Sequence, residues 1–326
     1  MIAYLACSIF LLSQAKPAAT APSFAPIPWY TPEADRILGK LQIFPKDNAW
    51  NQAITEWPVH PSSRAIVQSI GANKPLRYNA DMNFIFVATD QPRVPVKLTD
   101  YAAESDKGPY PVPNELPIEG WPGGQQRAFD QSFEEYQRNI RNDNSDRHAI
   151  VVDARAGMLY EFYQMKKTKT GWTASQASIF NLKSNKLRRD TWTSTDAAGL
   201  PIFPAIVRYD ELARGEIHHA LRVTVRKSRR GYVHPATHFA SPHTDPDLPR
   251  MGERFRLRAD FDTAGYSPEA QVILKALKTY GMLVADNGIE WAISVSPDSR
   301  IPDFHDDLAK VKGSDFEVVV APGTGR

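Results

Sequence analysis

The sequence predicts a mainly β fold, an antiparallel β-sandwich or jelly roll carrying a few short helices. Three observations point there. Proline outnumbers glycine, 26 residues to 18 in a chain of 326, which favours turns, edge strands and stiff loops over long helices. Short β-rich runs recur, separated by turn residues, as in HAIVVDARAGMLYEFYQ, ALRVTVRKSRRGYVHP and MLVADNGIEWAISV. Only SPEAQVILKALKTYG joins a cap, an apolar helical period over several turns and a stop signal.

In chain order, residues 2–12 form an apolar run too short to span a bilayer, followed by small residues suited to a signal peptidase. Residues 1–21 are therefore expected to be a signal peptide, and the protein secreted, extracellular or periplasmic. Cys7 is the only cysteine. It lies inside that segment, so the mature chain is expected to lack disulfides, thiolate metal sites and a cysteine nucleophile. Residues 22–42 read as a Pro-rich leader, a tether or surface strap. Residues 43–326 read as one β-rich domain, with 43–145 as an N-terminal subregion.

Within that domain, residues 61–71 predict a short helix capped by Ser62 or Ser63 and stopped by Gly71. Residues 83–100 read as two strands around a turn. Residues 107–124 carry too many prolines for a central strand and predict an ordered loop holding Tyr110 and Trp121. Residues 148–164 predict a hairpin turning at 153–157, and 220–235 a second with a basic turn at 227–231. Residues 253–262 alternate as a strand. Ser267 and Pro268 open the main helix and Gly281 ends it. Residues 282–295 predict two strands joined at Asp286-Asn287-Gly288. That turn accounts for Asp286, which is left out of the candidate site. DFEVVVA near the end predicts a last strand.

Lys and Arg total 39 against 37 Asp and Glu, a net charge of +2. That balance gives no field for nucleic acid, and no segment is expected to span a membrane. No cofactor is indicated.

The chemistry concentrates in residues 215–245, which hold five of the eight histidines. On an extended 218–226, Arg222 shares a face with His218, Thr224 and Arg226, and on 253–259 Arg254, Arg256 and Arg258 share another. Two such rows suit carboxylate or sulfate groups. They also suit a solvated face with local salt bridges to Glu253, Asp260 and Asp262, the commoner design on antiparallel sheets. His219, Tyr232 and His238, beside Arg222, have the residue types for β-elimination from a uronic acid polymer. In that chemistry arginine neutralises the carboxylate while His or Tyr moves the proton. His234 and His238 have a helical metal-ligand spacing, but on an extended chain they stand roughly 13 Å apart, and no His-Glu-x-x-His motif accompanies them.

A second constellation suits hydrolysis. Glu161 in MLYEFYQ sits among aromatic residues, where burial raises a carboxyl pKa as a glycosidase acid requires. Asp196 in TWTSTDAAGLP, or Asp153 across the hairpin, is its candidate partner. The same Glu161 could instead pair with a cation across the strand. Trp192 is a candidate sugar-stacking ring beside Arg222 and Arg256 as substrate-binding groups.

DRHAIVVDARAGMLYEFYQ, SNKLRRDTWTSTDAAGLPIFPAIVRYDELARGEIHHALRVTV, LPRMGERFRLRADFD and LKTYGMLVADNG resemble a family of secreted, functionally uncharacterised bacterial proteins. The likeness covers roughly residues 43–320. It implies a β-rich fold and export, and carries no activity. From the residues themselves, the leading expectation is a secreted polysaccharide-active enzyme, a glycoside hydrolase or lyase, on an acidic glycan. Two alternatives stand beside it: a non-catalytic carbohydrate-binding or adhesion protein, and a histidine-based metal-dependent hydrolase.

Overall fold

Strands dominate the computed structural model, which describes residues 22–122 and 131–322. The expected signal peptide, with Cys7, lies outside the described residues. The chain runs β1 (Ile27–Pro28), α1 (Pro32–Leu38), α2 (Ser63–Ile70), β2 (Arg77–Ala80), β3 (Ile85–Phe86), β4 (Val96–Leu98) and α3 (Phe133–Arg138). It continues through β5 (Ala149–Asp153), β6 (Met158–Tyr163), β7 (Lys166–Thr168), β8 (Gly171–Ala174), β9 (Gln176–Asn181), α4 (Tyr209–Arg214) and β10 (Leu221–Val225). The last third adds β11 (Arg254–Leu257), α5 (Pro268–Thr279), β12 (Met282–Asn287), β13 (Ala292–Val295), α6 (His305–Leu308) and β14 (Phe316–Val319). Among the described residues no helix is long and apolar enough to cross a membrane.

The strands form three sheets, ordered β1-β3-β5-β6-β9, β14-β11-β12-β10-β13-β2 and β4-β8-β7. Each is mixed, not antiparallel throughout: β3/β5, β4/β8, β10/β12 and β13/β2 pair in parallel. The five-stranded sheet is covered on both faces. Ile150, Val152 and Leu159 join the main core with the six-stranded sheet, whereas Val151, Tyr160 and Phe162 join a second core with Val96 and Trp172. Double coverage explains why β5 reads as an unbroken apolar run.

The 149–163 hairpin forms as its turn residues predict. The main helix also forms, with Ser267 at the N-cap position, though its hydroxyl makes no capping hydrogen bond, and with Gly281 beyond its end. A Cβ on Gly281 would stand 2.2 Å from the Phe255 carbonyl, and its φ is +66°, so only glycine fits. The short helix begins after Ser62 and ends at Gly71. The expected loop, through residue 122, contains no strand, and Tyr110 is buried in it.

Three expectations need correction. The Pro-rich leader is not a tether: β1 is an edge strand on β3, Trp29 is buried, and α1 follows. No hairpin forms over 220–235, because β10 finds its partners in β12 and β13 and the chain after Val225 leaves the sheet. Nor do β12 and β13 pair with each other. The β10 strand lies between them, parallel to β12 and antiparallel to β13. Residues 288–291 carry the chain past the end of β10, where the Thr224 hydroxyl donates to the Ile289 carbonyl at 2.6 Å.

That insertion positions the site. Arg222 pairs with Leu283 and Val223 with Val284, then the register slips and Thr224 pairs with Asp286. The extra residue is Ala285. Strict alternation would turn Asp286 to the apolar face of Val223; the bulge turns it to the face of Arg222 and Thr224 instead.

Candidate functional site

A polar cleft of about 260 Å³ opens beside the end of β12. Its walls include Asp286 and Asn287, Tyr163 at the end of β6, Asp146, Tyr101, His238 and the stretch around Thr195. The Thr/Ser-rich segment 193–196 folds on itself. The Ser194 hydroxyl donates to the Asp196 carbonyl at 2.8 Å, and the Ala197 N–H donates to the Asp286 carboxyl at 3.3 Å. Gly199 (φ +76°) closes this segment, and a Cβ there would meet the Thr237 hydroxyl at 2.1 Å.

Carboxyls outnumber cations behind the cleft. Asp196 is sealed from solvent and held by the Arg222 fork through both of its oxygens, the Nε contact measuring 2.8 Å. The third Arg222 donor reaches Ser294 at 2.6 Å. His148 bridges Glu119 at 2.8 Å and the Thr195 carbonyl at 3.0 Å. Burial works against charge on His148, but Glu119 outweighs it and raises the imidazole to about 10. Arg222 and His148 thus face Asp81, Glu119, Asp196 and Asp286 together.

The carboxyls left without a dedicated cation hold their protons to higher pH than an ordinary aspartate does. Burial, and then the negative charge of Asp196, push Asp286 up to about 7. Burial, and then Glu119, push Asp81 to about 7 as well. Asp286 is half-buried at the cleft wall, so its proton can reach a bound molecule. Tyr163 is raised to about 12 by burial and by Asp146 and Asp286, and its hydroxyl donates to Asp146 at 3.4 Å. The His238 Nδ1 donates to the Ala197 carbonyl at 2.8 Å, which leaves Nε2 for a bound molecule.

The residues singled out from sequence scatter around this cleft. His238 lines it. Asp196 lies behind it, paired with Arg222, so neither the aspartate nor the arginine offers itself to a ligand. Glu161 is fully buried: the Ile202 and Phe203 N–H groups donate to it at 2.9 and 2.8 Å, and the Thr195 hydroxyl at 3.1 Å. It cannot act as the acid of an open site. His219 is buried between Glu211 and the Ala220 carbonyl, both at 2.8 Å. Asp153 caps its own turn, accepting from Ala156 N–H at 2.8 Å and Thr89 at 2.9 Å.

The two arginine rows do not line a trough. Arg254 donates to the Tyr280 and Ala49 carbonyls, and Arg256 to Glu317 and the Ile54 carbonyl. Both are buried. They clip the 49–57 segment onto the sheet, which uses up their donors. Trp192 packs against the guanidinium groups of Arg188 and Arg189 at 5.6 and 5.7 Å. Tyr232 is not among the residues that line the cleft, and its hydroxyl donates to Asp190 at 2.6 Å.

A larger groove of about 580 Å³ runs past Trp57, His60, Arg250 and Arg254. Its Arg250 is paired with Glu253 at 2.5 Å, and its Arg254 donors are taken up by backbone carbonyls. Among the described residues, no group of three or more His, Cys, Asp or Glu is arranged to hold a metal ion. Comparison of the chain with protein-family models, curated proteins and solved structures finds no match.

Glu161 makes a stability prediction. Burial outweighs its three donors and raises it to about 7 from the ordinary 4.5. Between those values the unfolded chain releases a proton that the native state keeps, so stability is full below about 4.5 and falls as pH rises towards 7. Chemical denaturation at about pH 5 and about pH 8 should show Glu161→Gln losing less stability across that interval than wild type, by roughly 2–3 kcal/mol. An equal pH dependence in both proteins would contradict the assignment.

Proposed function

We propose that the protein is a secreted polysaccharide-active enzyme that cleaves glycosidic bonds by hydrolysis, with Asp286 as its general acid. The observation that carries this reading is a carboxyl raised to about 7 at the wall of an open polar cleft. A carboxyl protonated near neutrality can protonate a leaving glycosidic oxygen as the bond breaks. Asp146, hydrogen-bonded by Tyr163, is the second carboxyl and activates the attacking water. His238 Nε2 accepts a hydrogen bond from a substrate hydroxyl. Asp196 acts through Asp286: its charge, fixed by Arg222, favours retention of the catalytic proton.

Hydrolysis is favoured over β-elimination because elimination needs a cation on the uronate, and Arg222 is bound to Asp196. The carboxyl-rich wall likewise favours a neutral or amino-sugar glycan over an acidic one. The same reading takes the packing of the two large sheets as sandwich-like, with the cleft at its rim, and takes the chain as exported.

The test is release of reducing ends by the mature protein from neutral, amino-sugar and uronic acid polysaccharides, with ultraviolet absorbance followed in parallel. New reducing ends without unsaturated products support hydrolysis. Unsaturated products from uronic acid polymers would replace it with elimination, and glycan binding without any product would reduce the protein to a binding module.

A further inference from the structure

Beyond the cleft, three aromatic rings stand nearly parallel in a row that begins at the cleft wall. His238 lines the cleft. Its ring lies 5.7 Å from that of Phe239 at an interplanar angle of 4°, and Phe239 lies 6.4 Å from Tyr232 at 17°. Those separations exceed face-to-face contact, so the rings are offset like steps. All three are half-buried. The exposed Arg230 holds its guanidinium 5.6 Å from the Phe239 centroid.

The row lies on irregular backbone that is tied down at several points. The Val233 N–H donates to the Met251 carbonyl at 2.9 Å, Thr237 to Ala198 at 2.9 Å, and Arg230 to His243 at 2.6 Å. The Tyr232 hydroxyl is pinned to Asp190 at 2.6 Å. Aromatic rings fixed in this way present a flat apolar surface that loses little entropy on binding. The apolar C–H face of a neutral sugar ring suits such a surface, while Arg230 and Asp190 offer polar partners to its hydroxyls.

We propose that Tyr232, Phe239 and His238 form a stacking ledge that continues the cleft and holds the sugar rings of a neutral glycan next to the bond being cleaved. This inference rests on the reading of the cleft given above, and its test separates the two. The proteins are wild type, Phe239→Ala, Tyr232→Ala and Tyr232→Phe, and the probe is a series of neutral oligosaccharides of increasing length. Removing one ring should raise KM for long chains roughly three- to tenfold, with kcat little affected and the loss shrinking as the oligosaccharide shortens. Tyr232→Phe keeps the ring and should lie much closer to wild type than Tyr232→Ala.

Binding of the same oligosaccharides to the Asp286→Asn variant, with and without Phe239→Ala, reads the ledge without catalysis. Weaker binding on loss of the ring upholds the ledge even if no cleavage is found. Equal KM and equal binding with and without the Phe239 ring, in variants whose melting temperatures match their parents, would overturn the ledge and leave the cleft chemistry standing.

Discussion

Replacing Asp286 by Asn should lower kcat/KM for polysaccharide cleavage by roughly 10²–10⁴-fold, the usual contribution of a positioned acid, while the protein stays folded. The Asn287 N–H donates to one carboxyl oxygen at 2.6 Å and the Ala197 N–H to the other at 3.3 Å, so an amide keeps the shorter bond through its oxygen and gives up only the longer, weaker one. The amide cannot donate a proton to a leaving oxygen. Asparagine also removes a carboxyl that resists ionisation where it stands, so stability near neutrality should hold or rise slightly. Measured together, a large kinetic loss and an unchanged denaturation midpoint separate a chemical role from a structural one. A loss of both would make Asp286 a packing residue.

The second large effect is on stability. Arg222→Ala should destabilise the protein by about 3–5 kcal/mol, a large share of what a domain has to lose. The guanidinium is the partner of Asp196 and Ser294 and also lowers the cost of charge on Asp81 and Asp286. Without it Asp196 is a buried charge with no counterion. Arg222→Lys keeps a charge but loses the fork, and should fall in between. The double variant Arg222→Ala with Asp196→Ala should recover part of the loss, because no charge is then left stranded. Chemical denaturation of these proteins together with the Asp196→Ala single variant measures the cycle, and a loss below about 1 kcal/mol in Arg222→Ala would remove Arg222 from its central place.

What the sequence made legible was local. The 149–163 hairpin and the 268–279 helix carry their own period, caps and turn residues, and both form. The placement of Glu161 opposite Tyr160 and Phe162 also follows from alternation. Its solvent exposure does not, because the backbone that seals it comes from residues 202–203. Arginines at alternate positions resemble a solvated row, yet carbonyls from residues 49–57 take up the donors of Arg254 and Arg256. Nothing in the local pattern announces such a long-range partner.

Asp286 was hidden for a related reason. Asp-Asn-Gly between two β-rich runs signals a hairpin turn, and the turn explains the aspartate too well. The insertion of β10 between those runs, and the bulge that redirects the side chain, are properties of strand pairing. The one local trace is a carboxylate ending an apolar strand, MLVAD, next to no cation in sequence. Asp81, Glu119, Asp146 and His148 lie far from it in sequence and meet it only through the tertiary fold.

The pH dependence of kcat/KM for polysaccharide cleavage, measured on wild type and on Asp286→Asn, tests the central claim most directly. A catalytic carboxyl that must be protonated gives a rate that falls as pH rises through about 7, and the variant should have little rate left to titrate. A wild-type rate that is flat through neutrality, with the variant cleaving as fast, would contradict the account.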